Sequence, residues 1–426
     1  MKVHTEIYER LKAYGQTQLL AFWDTLSESE QRNLLMEIAE TDFDTMQMLY
    51  RKAREASAGD AQRPFEKLEP LPCLDTTVLT EQEKILLGRS GMDGIRNGEL
   101  AALTMAGGQG TRLGHNGPKG TFDIGLPSRA SLFEIQCRGL QKVSEKAGRP
   151  IDWYIMTSTI NYADTVCFFE EHGFFGYPKE KIHFFPQTMI PAVTEDGKLQ
   201  LESPAHILRS PNGNGGMFVS LKQSGCLDAL ERQGVRYIFV CGIDNCLVKM
   251  CDPLFFGALR TANGNVQASA KSYIKRDPGE KAGIFCRMDG KPGVLEYTEI
   301  PQEYAEMKNP DGQWTYGDTN VLNYIFSVEA VRCLAEAEIP YHVAVKKLTY
   351  LDAATGQSVT VPQGYKFELF LFDTFLCLDD LQVVRIERTE EFAPVKNPSG
   401  IDSAESARAL YLDYEAKQPR KWEEKI

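Results

Sequence analysis

The sequence predicts an α/β protein: a mainly parallel sheet covered by helices, with a helical N-terminal arm and a small C-terminal α+β unit. Three observations predict it. From Glu99 to about Tyr324, short apolar runs alternate with segments of helical periodicity, the pattern of strands joined by helical crossovers. The apolar run Ala101–Ala106 passes directly into a glycine-rich turn, and sheets of this kind gather ligands beyond the carboxyl ends of their strands. On either side the pattern changes, to helices before residue 95 and to short mixed strands with a polar tail beyond about Val328.

Residues 1–95 read as a packing arm without chemistry. Ser27 with Glu30, and Thr80 with Glu83, each form a capping box before apolar residues at helical spacing: Leu34, Leu35 and Ile38 after the first, Leu86 and Leu87 after the second. The stretch Ser57–Leu71, with Gly59, Pro64 and Pro70, reads as a connecting loop. Residues 96–327 hold the strand candidates Ala101–Ala106, Trp153–Thr157, Ile182–Phe185, Tyr237–Ile243 and Val266–Ser272. Gly107, Gln187 and Asp244 sit just past strand ends. Ser131 and Glu134 make a further capping box, opening a helix that carries Leu132, Ile135, Leu140 and Val143. Residues 328–426 form the small C-terminal unit, and neither a repeat nor a low-complexity tract is evident.

Composition narrows the function. At 426 residues the chain exceeds the size at which one core stops growing, so two or three structural units are expected. With 42% hydrophobic and 25% charged residues it has the balance of a soluble globular protein. A formal charge of −12 argues against a nucleic-acid surface, which needs a basic stripe. An acidic chain that handles phosphates must concentrate cations locally, which draws attention to Arg112, Lys119 and Lys396. The start, Met1 to Glu6, has no apolar core of signal-peptide length and no later run approaches a membrane span, so a cytoplasmic location is expected. The ten cysteines lack Cys-x-x-Cys spacing, and Cys241, Cys246 and Cys251 recur every five residues, which suits no zinc knuckle; reduced, mostly buried thiols are expected. The six histidines are dispersed, and His342 reads as structural or supporting.

The glycine-rich turn is the most informative segment. Met105 to Gly120 holds six glycines beyond the strand together with Arg112 and Lys119, a composition that wraps backbone N–H groups and positive charge around a polyphosphate. Two familiar patterns fail here. The dinucleotide fingerprint needs glycine where this chain has Leu113, and the ATPase-type loop needs Gly-Lys-Ser/Thr where it has Pro118-Lys119-Gly120. On the loop alone, an ordinary strand-to-helix turn stays open.

What the loop does contain, Gly107-Gly108-Gln109-Gly110-Thr111-Arg112-Leu113-Gly114 followed by Pro118-Lys119, is similar to the signature of the sugar nucleotidyltransferases. Further stretches sharpen the resemblance: Gly125-Leu126-Pro127-Ser128-Arg129, Trp153 to Ser158, Gly213-Asn214-Gly215-Gly216, Asp244-Asn245, Glu296-Tyr297 and Lys396-Asn397. From about Leu100 to about Asn397 the chain resembles the eukaryotic-type UDP-N-acetylhexosamine pyrophosphorylases, within the UTP:sugar-1-phosphate uridylyltransferases. The resemblance implies a Rossmann-like, GT-A-like nucleotidyltransferase fold. It also implies a Mg²⁺-dependent reaction in which a sugar 1-phosphate attacks the α-phosphorus of UTP, giving a UDP-sugar and pyrophosphate. A phosphate oxygen is already an anion, so no general base is needed, and positioning with charge stabilisation carries the catalysis.

Residue by residue, the resemblance implies that Arg112 grips the leaving pyrophosphate, Lys119 sits on the α-phosphate and Lys396 holds the sugar phosphate. Asp244 would help hold Mg²⁺, and a helix N-cap is its plain structural alternative. Gln187 would read uracil, with Pro186 replacing the more usual second glutamine, and a solvated loop residue is the alternative. Backbone groups of Ala106, Gly107 and Gly213 would complete the base pocket, and Gly108, Gly110 and Thr111 the nucleotide site. Sugar recognition would fall to Asn214, Gly283, Glu296 and Asn320. Glucose-type relatives typically carry His-Gly-Asp where this chain has Asn214-Gly215-Gly216, which favours an N-acetylhexosamine. Three readings stand: a UDP-N-acetylglucosamine pyrophosphorylase, possibly accepting the galactosamine epimer; the same enzyme type acting on glucose 1-phosphate or several sugars; and a non-catalytic nucleotide-sugar binder. The first predicts UTP, hexosamine 1-phosphate, UDP-sugar and pyrophosphate as partners, with neither nucleic acid nor membrane.

Overall fold

The strand expected before the glycine turn, Leu100–Met105, lies inside an 11-stranded sheet. In this computed structural model, which describes residues 5–56, 65–264, 266–417 and 423–426, the chain divides into two units. The larger comprises residues 63–187, 217–338 and 371–426. Its main path runs Cys73–Asp75, Gln382–Arg385, Ala268–Ile274, Asp318–Ser327, Tyr237–Gly242, Leu100–Met105, Trp153–Thr157, Ile182–Pro186. Neighbours pair in parallel except at Asp318–Ser327, which is antiparallel to both strands beside it. The mostly parallel α/β sheet is therefore present.

Leu100–Met105 and Trp153–Thr157 are buried at every position, because helices cover both faces of the sheet and no alternation of polar residues is tolerated. On one face the core gathers Phe133, Trp153 and Phe169, whose rings meet edge to face. The helix Leu132–Ala147 begins with Ser131 accepting from the Glu134 N–H at 3.2 Å. The reciprocal half of the expected capping box is not made, because the Glu134 carboxylate turns to Arg138 at 2.7 Å. Both bonds of the boxes at Ser27 and Thr80 are formed.

Three features depart from expectation. Of the stretch expected as a loop, residues 57–64, with Gly59 and Pro64, lie outside the described residues, but Leu68–Pro70 is a strand paired antiparallel with Ile284–Met288. Cys73–Asp75 adds a parallel edge to Gln382–Arg385. The candidate Val266–Ser272 is shifted, to Ala268–Ile274. Short edge strands of this kind are recruited by partners far away in sequence, and local composition does not announce them.

The second unit comprises residues 1–62, 188–216 and 339–370. Its helices Thr5–Ala13, Glu28–Glu40 and Phe43–Ala56 share a core with a five-stranded sheet dominated by the hairpin Tyr341–Leu351 and Ser358–Leu369. Leu34, Ile38, Phe43 and Leu49 pack in the same cluster as Tyr365 and Phe367. The arm's apolar faces thus find their partner in the C-terminal third of the sequence. Consequently residues 63–95 go with the large sheet, and within 328–426 only 339–370 belong to this unit. The strands beyond Val328 are not all short, since this hairpin pairs strands of 11 and 12 residues. Five cysteines are buried, two half-buried, and Cys167, Cys333 and Cys377 are exposed. Among the described residues no helix is long and apolar enough to cross a membrane.

Candidate active site

The glycine turn is a closed, hydrogen-bonded loop. At its root the Ala106 N–H donates to the Met156 carbonyl at 2.7 Å. Downstream the chain doubles back: the Gly110 N–H donates to the Gly117 carbonyl at 3.0 Å and the Lys119 N–H to the Gly108 carbonyl at 3.1 Å. Buried Asn161 fixes the root, its Nδ2 donating to the carbonyls of Ala106 at 3.0 Å and Gly108 at 3.3 Å while its Oδ1 accepts from the Ser158 N–H at 2.7 Å. Inside the loop Thr111 and Arg112 are exposed in a short helical turn, and Arg112 makes no ion pair among the described residues.

Lys119 is the electrostatic centre. It is half-buried, and its ammonium is held below the ordinary lysine value, first by burial, with Asp244 opposing and the positive charges of Lys396 and Arg112 adding to the depression. Four charged groups from three distant stretches of sequence therefore share one field. Asp244 follows the strand Tyr237–Gly242, and its Oδ1 lies 2.7 Å from where a Cβ on Gly242 would stand. It does not cap a helix: the next helix, Pro253–Arg260, is capped by Asp252. Lys396 is exposed, one residue beyond Val395, whose N–H donates to the Asp244 carbonyl at 2.8 Å.

Gln187 follows the strand Ile182–Pro186, tied by its N–H to the Thr157 carbonyl at 2.8 Å. It is 7% exposed rather than solvated, and its amide lies so close to Gly107 that any Cβ there would collide with Nε2. Among the described residues its side-chain amide has no hydrogen-bond partner, which leaves one donor and one acceptor group for a ligand. Gln187→Ala is expected to leave folding intact and reduce discrimination between UTP and CTP; unchanged base selectivity in competition assays would remove its assigned role.

A third group lies on the same unit. The Asn320 N–H donates to the Gly283 carbonyl at 2.8 Å, and the Asn320 Oδ1 accepts from the Tyr324 hydroxyl at 2.7 Å. The Glu296 Oε1 lies 3.1 Å from where a Cβ on Gly283 would stand. Burial raises the Tyr324 hydroxyl, with Asn320 opposing and Glu296 adding. Leu322, in a left-handed conformation at φ 55° within the strand, reaches toward Gly242 and so links this group to Asp244. Gly213 and Asn214 belong to the second unit. There Gly213 turns at φ 78° into the short helix Asn214–Gly216, against the backbone of Leu369.

Sequence reasoning passed over Asn161, Tyr324 and the structural part of Asn245, whose signal was limited to its place beside Asp244. Among the described residues no cluster of three or more His, Cys, Asp or Glu side chains could hold a metal.

The family profile of UTP–glucose-1-phosphate uridylyltransferase matches residues 42–411. The chain is 36% identical over 432 residues to UDP-N-acetylglucosamine diphosphorylase 2 of Arabidopsis thaliana, covering 96% of this chain and 83% of that one. It is 34% identical over 418 residues to the UDP-N-acetylglucosamine pyrophosphorylase of Saccharomyces cerevisiae, covering 93% and 87%. Among solved structures it resembles the uridine diphosphate N-acetylglucosamine pyrophosphorylase of Trypanosoma brucei in complex with an inhibitor. That likeness has a TM-score of 0.80 at 30% identity, over 97% of this chain and 85% of that one. The expected resemblance thus holds along nearly the whole chain, which belongs to the UTP–glucose-1-phosphate uridylyltransferase family, among the UDP-N-acetylhexosamine pyrophosphorylases.

Proposed function

We propose that this protein joins UTP to N-acetylglucosamine 1-phosphate, releasing pyrophosphate and UDP-N-acetylglucosamine. The observation that carries the reading is the shared field of Arg112, Lys119, Asp244 and Lys396 at the carboxyl end of the sheet. A phosphate oxygen of the sugar 1-phosphate attacks the α-phosphorus of UTP; the bond from that phosphorus to the α,β-bridging oxygen breaks, and pyrophosphate leaves with the bridging oxygen. Both reactants are anions, so the main obstacle is charge, and preorganised cations are the effective remedy. Lys119 meets the charge that builds on the α-phosphate, Arg112 takes the pyrophosphate as a two-pronged donor, and Lys396 holds the sugar phosphate.

Asp244 offers one hard carboxylate ligand beside these cations, a donor set that fits Mg²⁺, which favours one or two carboxylates with phosphate oxygens and water. When bound, the ion would supply Lewis-acid polarisation of the phosphate oxygens. Gln187 pairs with uracil over Gly107, and the carboxylate of Glu296 with Asn320 and Gly283 takes the sugar hydroxyls. Gly213 and Asn214 take base and sugar roles by resemblance alone. The ten free thiols suit a reducing compartment, and we place the reaction in the cytoplasm.

A substrate panel tests the reading. Pyrophosphate release with Mg²⁺ and UTP should be fastest with N-acetylglucosamine 1-phosphate, slower with the galactosamine epimer and slowest with glucose 1-phosphate. A preference for glucose 1-phosphate would keep the mechanism and overturn the sugar assignment, while silence with all three would favour a nucleotide-sugar binder. The pH profile offers a second check. Because Lys119 in the free enzyme loses its proton below the ordinary lysine range, kcat/KM should fall on an alkaline limb set by that group. Lys119→Arg should move that limb upward, and a profile unchanged by this substitution would show that Lys119 is not the group titrating.

A further inference from the structure

Lys396 sits on a segment with little secondary structure of its own. The short helix Arg388–Glu391 ends, and the chain runs through Ala393 and Val395 to the exposed lysine. The link between this segment and the Asp244 turn is made by Asn245, which is 6% exposed. Its Nδ2 donates to the Glu391 carbonyl at 2.7 Å, and its Oδ1 accepts from the Ala393 N–H at 2.9 Å and the Leu247 N–H at 3.1 Å. On either side, the Val395 N–H donates to the Asp244 carbonyl at 2.8 Å and the Cys246 N–H to the Ala393 carbonyl at 3.2 Å. The segment is also pinned from below. The Glu391 carboxylate pairs with fully buried Lys271, which in turn pairs with Asp252 at 2.6 Å.

We propose that Asn245 is a positioning residue for the transfer reaction, its amide setting the distance between the Lys396 ammonium and the Asp244 carboxylate. The proposal rests on the roles given above to those two residues. The geometry requires an amide: one group must donate to a carbonyl while a second atom of the same side chain accepts from two N–H groups. An aspartate could accept from both N–H groups but could not donate to the Glu391 carbonyl. Ala393 and Val395 are fully buried in the apolar core, so the segment stays docked without the amide and only its register against Asp244 is loosened.

A double-mutant cycle tests this, with Asn245→Ala and Asn245→Asp each made alone and together with Lys396→Ala. For either single variant at Asn245 the expectation is a loss of about 10–100-fold in kcat/KM for the sugar 1-phosphate, with UTP affinity by calorimetry unchanged. In the Lys396→Ala background the same substitution should cost almost nothing more, because the group it positions is gone. Equal fold-losses in both backgrounds would overturn the proposal and leave Asn245 as a structural residue only, as would a loss of UTP affinity matching the loss of turnover. Normal turnover by Lys396→Ala alone would overturn the role of Lys396 and the proposal with it, an outcome distinct from additive losses. Should Asn245→Ala fail to fold, Asn245→Asp, which keeps the volume and both accepted bonds, decides between these results.

Discussion

Lys119→Ala is expected to lower kcat by about 10²–10³-fold at saturating UTP and sugar phosphate, the range lost when one preorganised stabiliser of transition-state charge is removed. The size of the effect follows from the setting of the residue. Lys119 is half-buried at the foot of the closed glycine loop, so its charge is poorly screened by water and is felt at short range. The same setting predicts that stability will not suffer. A lysine whose folded-state value lies below its unfolded value disfavours folding at neutral pH, where both states would be protonated, and that penalty fades only as the pH rises through the depressed and then the ordinary lysine value. Removing the side chain should therefore leave the melting temperature level or slightly raised, a trade of stability for function. Near-normal kcat in the purified variant would show that Lys119 is not at the α-phosphate.

Gly257→Ala is expected to act in the opposite way, on the fold and not on the chemistry. The helices Glu81–Arg96 and Pro253–Arg260 cross with their backbones in contact: a Cβ on Gly257 would lie 2.6 Å from the carbonyl carbon of Leu87 and would collide with its oxygen, and a Cβ on Gly91 would lie 2.8 Å from the carbonyl carbon of Pro253. The obstacle is backbone on both sides, so no rotamer change relieves it, and the helices must move apart. Overpacking of this kind costs about 1–3 kcal/mol and occasionally more, and here the upper end applies. The melting temperature should fall by roughly 5 °C, at the scaling of about 1.6 °C per kcal/mol that the unfolding entropy of a unit this large sets. A melt within a degree of wild type would show that the two helices can separate freely.

These two variants mark what the sequence made visible and what it did not. The strands at Leu100, Trp153 and Tyr237 were legible because strands buried on both faces are nearly all apolar, and the edge strand at Ile182 because of its short apolar and aromatic run. The closed glycine loop was legible because close backbone approach and two cations leave a composition few other structures need. The helix crossing left a trace in Gly91 and Gly94 at helical spacing, but the partner helix that gives the trace meaning lies far along the chain. Asn161 left no trace, and Asn245 only its place beside Asp244. Each works by hydrogen-bonding main-chain groups of a remote segment, and a main-chain partner imposes no residue type that spacing could reveal. For Asp244 and Asp252, two acids near helical sequence, only the structure shows which one caps the helix and which one is left beside Lys119.

Attack by a sugar phosphate oxygen on the α-phosphorus of UTP can be followed by oxygen labelling. The enzyme would be supplied with Mg²⁺, unlabelled UTP and N-acetylglucosamine 1-phosphate carrying ¹⁸O in its phosphate, and the products read by ³¹P NMR. All of the label should stay in UDP-N-acetylglucosamine, part of it in the bridge between the two phosphorus atoms, with unlabelled pyrophosphate released in equal amount. Label in the pyrophosphate, or release of orthophosphate without UDP-sugar, would contradict that attack.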